Sequence, residues 1–316
     1  MFLSKSGLSK WLKEEGFTNE EIVYAVSKVK VDWNEQAFKR AKSLLGSMVL
    51  SKKALIHWLE DDGFTHKEAV NAVSRCKIDW NKQALKEAKE ELSSFAYSKN
   101  GLTEHLEGVE EFTHAEAVYA VSNCGANWNE QALKEAKEEL SSFAYSKNGL
   151  TEHLESVEGF THAEAVYAVS NCGVNWNEQA LKEAKEELSS YEYSKNGLME
   201  HLESVEGFTH AEAIYAVSNC GADWKEQALI YAKESLRSGP YSSKAGLTEE
   251  LESDGFTNDE INYAVSNCGA NWNEQAVKAA KFHLSSSAYS KNGIIELLES
   301  EGFTHSEAVY AASKLY

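Results

Sequence analysis

No stretch of the 316-residue chain approaches the roughly 18 consecutive apolar residues that a membrane-spanning helix needs, so no membrane span is expected. The opening Met1-Phe2-Leu3-Ser4 lacks a basic n-region, an apolar h-region and a lipobox-like cysteine. A cytoplasmic location is therefore expected, with the cell surface as the alternative if an anchor lies outside this sequence. Neither a GxSxG nor a P-loop motif occurs, and the carboxylates come in uniform runs rather than in the contrasting environments that separate an acid from a base. The expectation is that the protein is not an enzyme. CxxC and HxxxH spacings are missing too, so no metal and no cofactor are expected. A basic surplus is absent: the net charge is −19. Two of the helix patterns described below resemble a helix-turn-helix, but neutralising phosphates requires a basic face. The outer side of one of them reads Lys134-Glu135-Lys137-Glu138-Glu139, which excludes duplex nucleic acid as a partner.

What the chain does have is a period. The heptad Asn127-Trp128-Asn129-Glu130-Gln131-Ala132-Leu133 has counterparts opening at Asp32, Asp79, Asn175, Asp223 and Asn271, with tryptophans 47 or 48 residues apart. A fixed period in this range marks a solenoid or bead-like array whose units bury apolar faces against each other. Counting outward from the tryptophans gives repeats 1–48, 49–96, 97–144, 145–192, 193–240 and 241–288, then a partial repeat 289–316 that can act as a C-terminal cap. The repeats at 97–144 and 145–192 are nearly identical. Charge is unevenly spread, from +2 in the first repeat to −6 in each of those two. The joints are short and keep aromatic residues, as in Leu140-Ser141-Ser142-Phe143-Ala144-Tyr145-Ser146, which is not the composition of a free tether. Pro240 lies in one such joint, where a bend is expected.

Each repeat holds three helix patterns. Helix A opens at a capping serine (Ser98 and its counterparts) and carries leucines such as Leu102 and Leu106 one turn apart. Helix B starts at a Thr-x-x-Glu capping box, Thr113 to Glu116, has an apolar stripe of Ala117, Ala120, Val121 and Cys124, and stops at Gly125. Helix C is capped by Asn127, buries Trp128, Ala132, Leu133, Ala136 and Leu140, and offers a Glu130–Lys134 pair on its surface. The tryptophans Trp33, Trp80, Trp128, Trp176, Trp224 and Trp272 are assigned to the structural core. The fold class expected is all-α: a tandem array of ~48-residue three-helix, helix-turn-helix-like repeats forming a solenoid or bead-like superhelix.

Cys76, Cys124, Cys172, Cys220 and Cys268 occupy a helix B site that takes Val29 or Leu315 elsewhere, which reads as small hydrophobes in a reducing compartment. Histidines recur at 105, 153 and 201 on helix A, where Trp11, Trp58 and Leu297 stand in other repeats; this reads as a partly buried packing position. Those at 66, 114, 162, 210 and 305 alternate with Asn19 and Asn258 and suit a solvated first turn. The tyrosines Tyr24, Tyr119, Tyr167, Tyr215 and Tyr263 sit one residue off the apolar stripe, and Asn71 replaces them once. They are read either as contacts between successive repeats or as a row of anchors for a protein partner. Glu135, Glu139, Glu183 and Glu187 belong to helix-surface runs and complete the candidate partner-binding surface.

The combined pattern Tyr145-Ser-Lys-x-Gly-Leu150, Gly159-Phe-Thr-x-x-x-Ala165, Tyr167-Ala-Val169 and Asn175-Trp-Asn-Glu-Gln-Ala-Leu181 resembles the Ltp family of host-cell-surface lipoproteins, over essentially the whole chain. The resemblance implies a phage- or prophage-related superinfection-exclusion protein that binds a phage protein, such as the tape measure protein, and blocks DNA injection without catalysis. No individual site is transferred by it. Two other readings stay open: an intracellular scaffold or oligomer-forming array, with self-association, and a sponge for a small signalling molecule held in pockets between repeats.

Overall fold

A computed structural model describes residues 2–316. Among the described residues there are twenty α-helices and no strand. The chain opens with α1 (Lys5–Glu14) and α2 (Asn19–Lys28). Then come α3 (Trp33–Ser47), α4 (Lys52–Asp61), α5 (His66–Cys76), α6 (Trp80–Ser94), α7 (Lys99–Gly108), α8 (His114–Asn123) and α9 (Trp128–Ser142). They are followed by α10 (Lys147–Ser156), α11 (His162–Asn171), α12 (Trp176–Ser190), α13 (Lys195–Ser204), α14 (His210–Asn219) and α15 (Trp224–Ser238). The last are α16 (Lys244–Ser253), α17 (Asn258–Asn267), α18 (Trp272–Ser286), α19 (Lys291–Ser300) and α20 (His305–Leu315).

The helix ends follow from local chemistry. Ser98 Oγ accepts from the Gly101 amide at the start of α7, and Thr113 and Glu116 exchange hydrogen bonds at the start of α8 as a capping box. Aspartate or asparagine caps the long C helices, as where Asp32 accepts from the Asn34 and Glu35 amides. Beyond α8, Gly125 takes a φ of +75°.

The compact clusters are offset from the tryptophan-based frame. Helix C packs against the helix B that follows it, α3 on α5, α6 on α8, α12 on α14, α15 on α17 and α18 on α20, with the intervening helix A laid alongside. In the first such cluster Ala37 and Ala41 of α3, Leu55 and Leu59 of α4, Phe64, and Ala69, Ala72 and Val73 of α5 form one core. The period of about 48 residues stands while its phase moves, and the packing order is C-A-B. On this order α18, α19 and α20 form a full cluster at the C-terminal end, and α1 packs with α2 as a pair. The partial repeat at 289–316 thus completes a cluster begun at Trp272.

The tryptophans do not lie at the centre of their own repeats. Four of them begin helix C of one cluster and are half-buried against the preceding one: Trp80 packs on the α3–α5 core, Trp128 on α6–α8, Trp224 on α12–α14 and Trp272 on α15–α17. The reason is geometric. As the first helical residue, the ring projects back toward the N-terminal side of its helix, where the previous cluster ends. The ammonium of Lys99 sits 5.7 Å from the centre of the Trp128 ring and adds a cation–π contact.

A second stitch joins clusters through the buried capping serines. Ser4 Oγ donates to the Asp62 carbonyl oxygen at 2.7 Å, Ser194 to that of Asp254 at 2.5 Å and Ser243 to that of Glu301 at 2.7 Å. The turn receiving each bond carries a glycine with positive φ. At Gly63 a β-carbon would lie 2.8 Å from Ser4 Oγ, so close approach and backbone conformation both require glycine there. Position 111 departs from this pattern. Glu111 holds a φ of +59°, and its carboxylate is gripped by Lys53 at 2.9 Å and His57 at 3.0 Å.

The described chain divides into two compact units, one comprising residues up to Ser141 with Thr151–Cys172, the other Ser142–Leu150 with Gly173–Tyr316. Ala180 of α12, in the second unit, is fully buried in the core shared with α14. Replacing it by leucine overfills that core, and the expected loss is about 1–3 kcal/mol, read as a lower urea midpoint. Leucine at the exposed Lys185 of the same helix should change stability by no more than about 0.5 kcal/mol.

Candidate binding face

Helix B presents its outer side to solvent. Tyr24 is 66% exposed, and Tyr119, Tyr263 and Tyr310 are also exposed. Tyr167 and Tyr215 are half-buried because their hydroxyls donate to Glu130 Oε1 at 3.0 Å and Glu178 Oε1 at 2.8 Å. Those glutamates occupy the third position of α9 and α12. On α6 the same position is Lys82, which pairs with Asp79, so Tyr119 lacks an equivalent acidic acceptor. In the tryptophan-based frame the Tyr–Glu bond joins successive repeats; in the packing frame it lies inside one cluster.

Sequence reasoning missed the tyrosines' neighbours. Val23, Val118, Val166, Ile214 and Val309 are exposed beside them, so most B helices display a β-branched residue next to an aromatic one; on α5 the exposed Val70 stands next to Asn71 instead. The recurring Val-Tyr or Ile-Tyr dipeptide outside the apolar stripe was the available signal. On the last cluster the face borders a groove of about 390 Å³ lined by Glu274, Val277, Lys278, Lys281, Tyr310 and Lys314. On α2 a depression of about 500 Å³ is lined by Asn19, Glu20, Val23, Tyr24 and Ser27.

The four glutamates named with the tyrosines lie elsewhere. Glu135, Glu139, Glu183 and Glu187 are half-buried where helix C meets helix A, not on a solvated surface. Glu139 Oε2 is 3.4 Å from His153 Nε2, and Glu187 Oε2 is 3.4 Å from His201 Nε2. Their counterpart Glu91 lies 3.3 Å from His105 Nε2, with Glu110 Oε1 3.9 Å from the same nitrogen. Residues far apart in sequence thus form a carboxylate–imidazole–carboxylate cluster that no linear spacing displayed. One helical turn before these glutamates stand Glu87, Glu135 and Glu183. Burial, reinforced by the facing Glu110, Glu158 and Glu206, pushes each up to about 7. The equivalent residue in the first cluster is Arg40, whose Nε donates to Asp62 Oδ2 at 2.6 Å. The expected Glu130–Lys134 surface pair gives way to longer-range bonds: Lys134 donates to the Ser94 carbonyl oxygen at 3.0 Å while Glu130 accepts from Tyr167.

A family model described as host cell surface-exposed lipoprotein matches residues 32–75, 79–124, 127–172, 175–220, 223–268 and 271–315. The chain belongs to this family, Ltp. Each match starts at or next to the residue that caps a helix C and ends at or near the end of helix B, so the family unit coincides with the C-A-B packing order. Among solved structures, the chain is similar to Ltp, a superinfection exclusion protein from the Streptococcus thermophilus temperate phage TP-J34. Identity is 33% over 30% of this chain and 96% of that one, with a TM-score of 0.29. No curated protein matches the chain. Among the described residues, no helix is long and apolar enough to cross a membrane.

Other polar groups of the Ltp repeats have local partners. The first-turn histidines of helix B pair with glutamates ending helix A, as His114 Nδ1 does with Glu107 Oε1 at 2.7 Å. Each cysteine thiol donates to a carbonyl oxygen three or four residues back, Cys172 to Val169 for example, and all five are free thiols. A cavity of about 480 Å³ opens at the Glu111 joint, lined among others by Lys53, Ile56, His57, Glu107 and Phe112.

The raised carboxyls make the stability of the Ltp array depend on pH. With folded-state values near 7 against 4.5 unfolded, the folded chain holds protons that the unfolded chain releases. That stabilisation is complete below 4.5 and disappears as pH rises through 7. Thermal melts in chelator-containing buffer should therefore show Tm falling between pH 5.5 and 8. The variant carrying Glu87→Gln, Glu135→Gln and Glu183→Gln should lose most of this slope and melt a few degrees higher than the parent at pH 8.

Proposed function

We propose that this Ltp array is a non-catalytic binding protein that inhibits phage infection by holding a phage protein along its helix B face. The observation that carries the reading is the β-branched–tyrosine pair that recurs on α2, α8, α11, α14 and α20, its valine or isoleucine exposed in each and its tyrosine exposed or half-buried, since aromatic anchors of this kind dominate binding energy at protein interfaces. Membership of the Ltp family supports the phage connection, and the superinfection exclusion role of the TP-J34 protein sets its direction. An extended or helical segment of a tape measure protein is the partner of choice. Within one compact unit such a segment can touch more than one B helix, and many weak contacts in one chain act together through their high effective concentration. The net charge of −19 favours a basic segment and disfavours duplex nucleic acid. The family is described as host cell surface-exposed, which supports action at the cell surface over action in the cytoplasm; fractionation of expressing cells tests this. The cavity at the Glu111 joint supports a second reading, a small-molecule sponge, for which a ligand would raise Tm by mass action.

The test combines phage plating with capture of purified tape measure fragments. A variant with Tyr119, Tyr167, Tyr215 and Tyr263 replaced by alanine should keep its helical circular dichroism. Each truncation is expected to remove about 1–2 kcal/mol, so capture should weaken more than about 100-fold and protection against infection should be lost. Full protection by this variant would sink the helix B face as the binding surface.

A further inference from the structure

We infer that the cluster of Glu91, His105 and Glu110 is a binding site for a divalent transition-metal ion of the zinc type, repeated at Glu139, His153 and Glu158 and at Glu187, His201 and Glu206. The ligand atoms are already gathered in the first two: one imidazole nitrogen and two carboxylate oxygens lie within 4.8 Å of one another in each. His105 Nε2 is buried and makes no hydrogen bond of good geometry, its nearest carboxylate oxygens standing 3.3 and 3.9 Å away. Tyr97 donates its hydroxyl to Glu91 Oε2 at 3.0 Å, and Tyr193 does the same to Glu187 at 2.7 Å, so a group behind the ligand fixes its orientation.

An independent observation comes from Glu87. It is 9% exposed, faces Glu91 and Glu110, and among the described residues has no hydrogen-bond or ion-pair partner. Three carboxylates around one imidazole leave a surplus of negative charge in a place shielded from water. The other clusters resolve this charge with their own side chains. Arg40 supplies a cation at the Glu87 position of the first. In the fifth, Tyr231 and Ser235 take the Glu87 and Glu91 positions, and Ser235 Oγ donates to Glu250 at 2.7 Å. In the last, Ala279 replaces the glutamate and a single His283–Glu301 pair remains, at 2.8 Å. Among the described residues, only the three central clusters keep the full carboxylate set with imidazole, and only they have 14 rather than 13 residues between the capping serine and threonine, an added residue in the turn that carries Glu110, Glu158 and Glu206. One imidazole with carboxylates and an open side suits Zn²⁺, whereas Ca²⁺ and Mg²⁺ call for all-oxygen shells.

The test is titration of the chelator-treated full chain with Zn²⁺ by calorimetry. Saturable uptake of about three equivalents is expected, one per cluster. Replacing His105, His153 and His201 by glutamine should remove it, and each single replacement should remove about one equivalent. No saturable uptake, or unchanged stoichiometry in the triple variant, would overturn the assignment, the latter pointing to the exposed His–Glu pairs or the thiols. X-ray absorption of the loaded parent protein gives a check that does not depend on how the variants fold. A shell of oxygens with one imidazole supports the site; sulfur ligands, or two imidazoles, refute it.

Discussion

The close approach of helices C and B across small side chains is the constraint on which the rest of the structure depends. Ala84 and Ala88 with Ala117 and Ala120, or Ala180 and Ala184 with Ala213 and Ala216, are fully buried in each case. Alanine at these positions lets two backbones come together, gains packing over their whole length and loses no side-chain entropy in helices. Leucines of helix A and one phenylalanine then close the third side. The resulting core is small. A unit of this size lies near the limit at which burial offsets chain entropy, which is why each cluster also reaches outward, through tryptophan, capping serine and turn glycine, to another.

Because the core is so uniform, the differences between repeats concentrate on two surfaces. One is the outer side of helix B, where the apolar–aromatic pair recurs on most B helices and its pairing with helix C varies with the residue at Glu130, Glu178 or Lys82. The other is the seam between helices C and A. There the set Arg40 with Asp62, the glutamate–histidine clusters and the Tyr231–Ser235–Glu250 network occupy equivalent places with different charge. These surfaces lie on different helix pairings, so the chemistry of the seam can change without altering the face offered to a partner.

Much of the fold was legible in the sequence, for reasons visible at particular residues. Capping serines and Thr-x-x-Glu boxes depend on contacts within four residues, and they stand as read. Period and helix types follow from the repeated tryptophan heptad and alanine stripe. The phase was not legible, because a tryptophan at the start of a helix has the same local sequence whether it packs forward or back. The side-chain clusters were hidden for a related reason. His105 and Glu91 are 14 residues apart on different helices, and the same is true of His153 and Glu139, so the helix C glutamates looked like a solvated run. The tyrosines were found because they broke the apolar periodicity; their valine neighbours, being ordinary residues in a helix, were not.

The C-A-B order has a genetic consequence. Helix A and helix B of one cluster come from the segment after helix C, and the tryptophan that closes that cluster comes from the segment after that, so equivalent interactions recur at nearly the same offset along the chain. Duplication or loss of one period, at whatever residue the crossover falls, returns each helix to neighbours of the same kind. The near identity of 97–144 and 145–192 is what such an event leaves behind. Reach can therefore change by recombination in whole steps, with no new packing solution required at the junction.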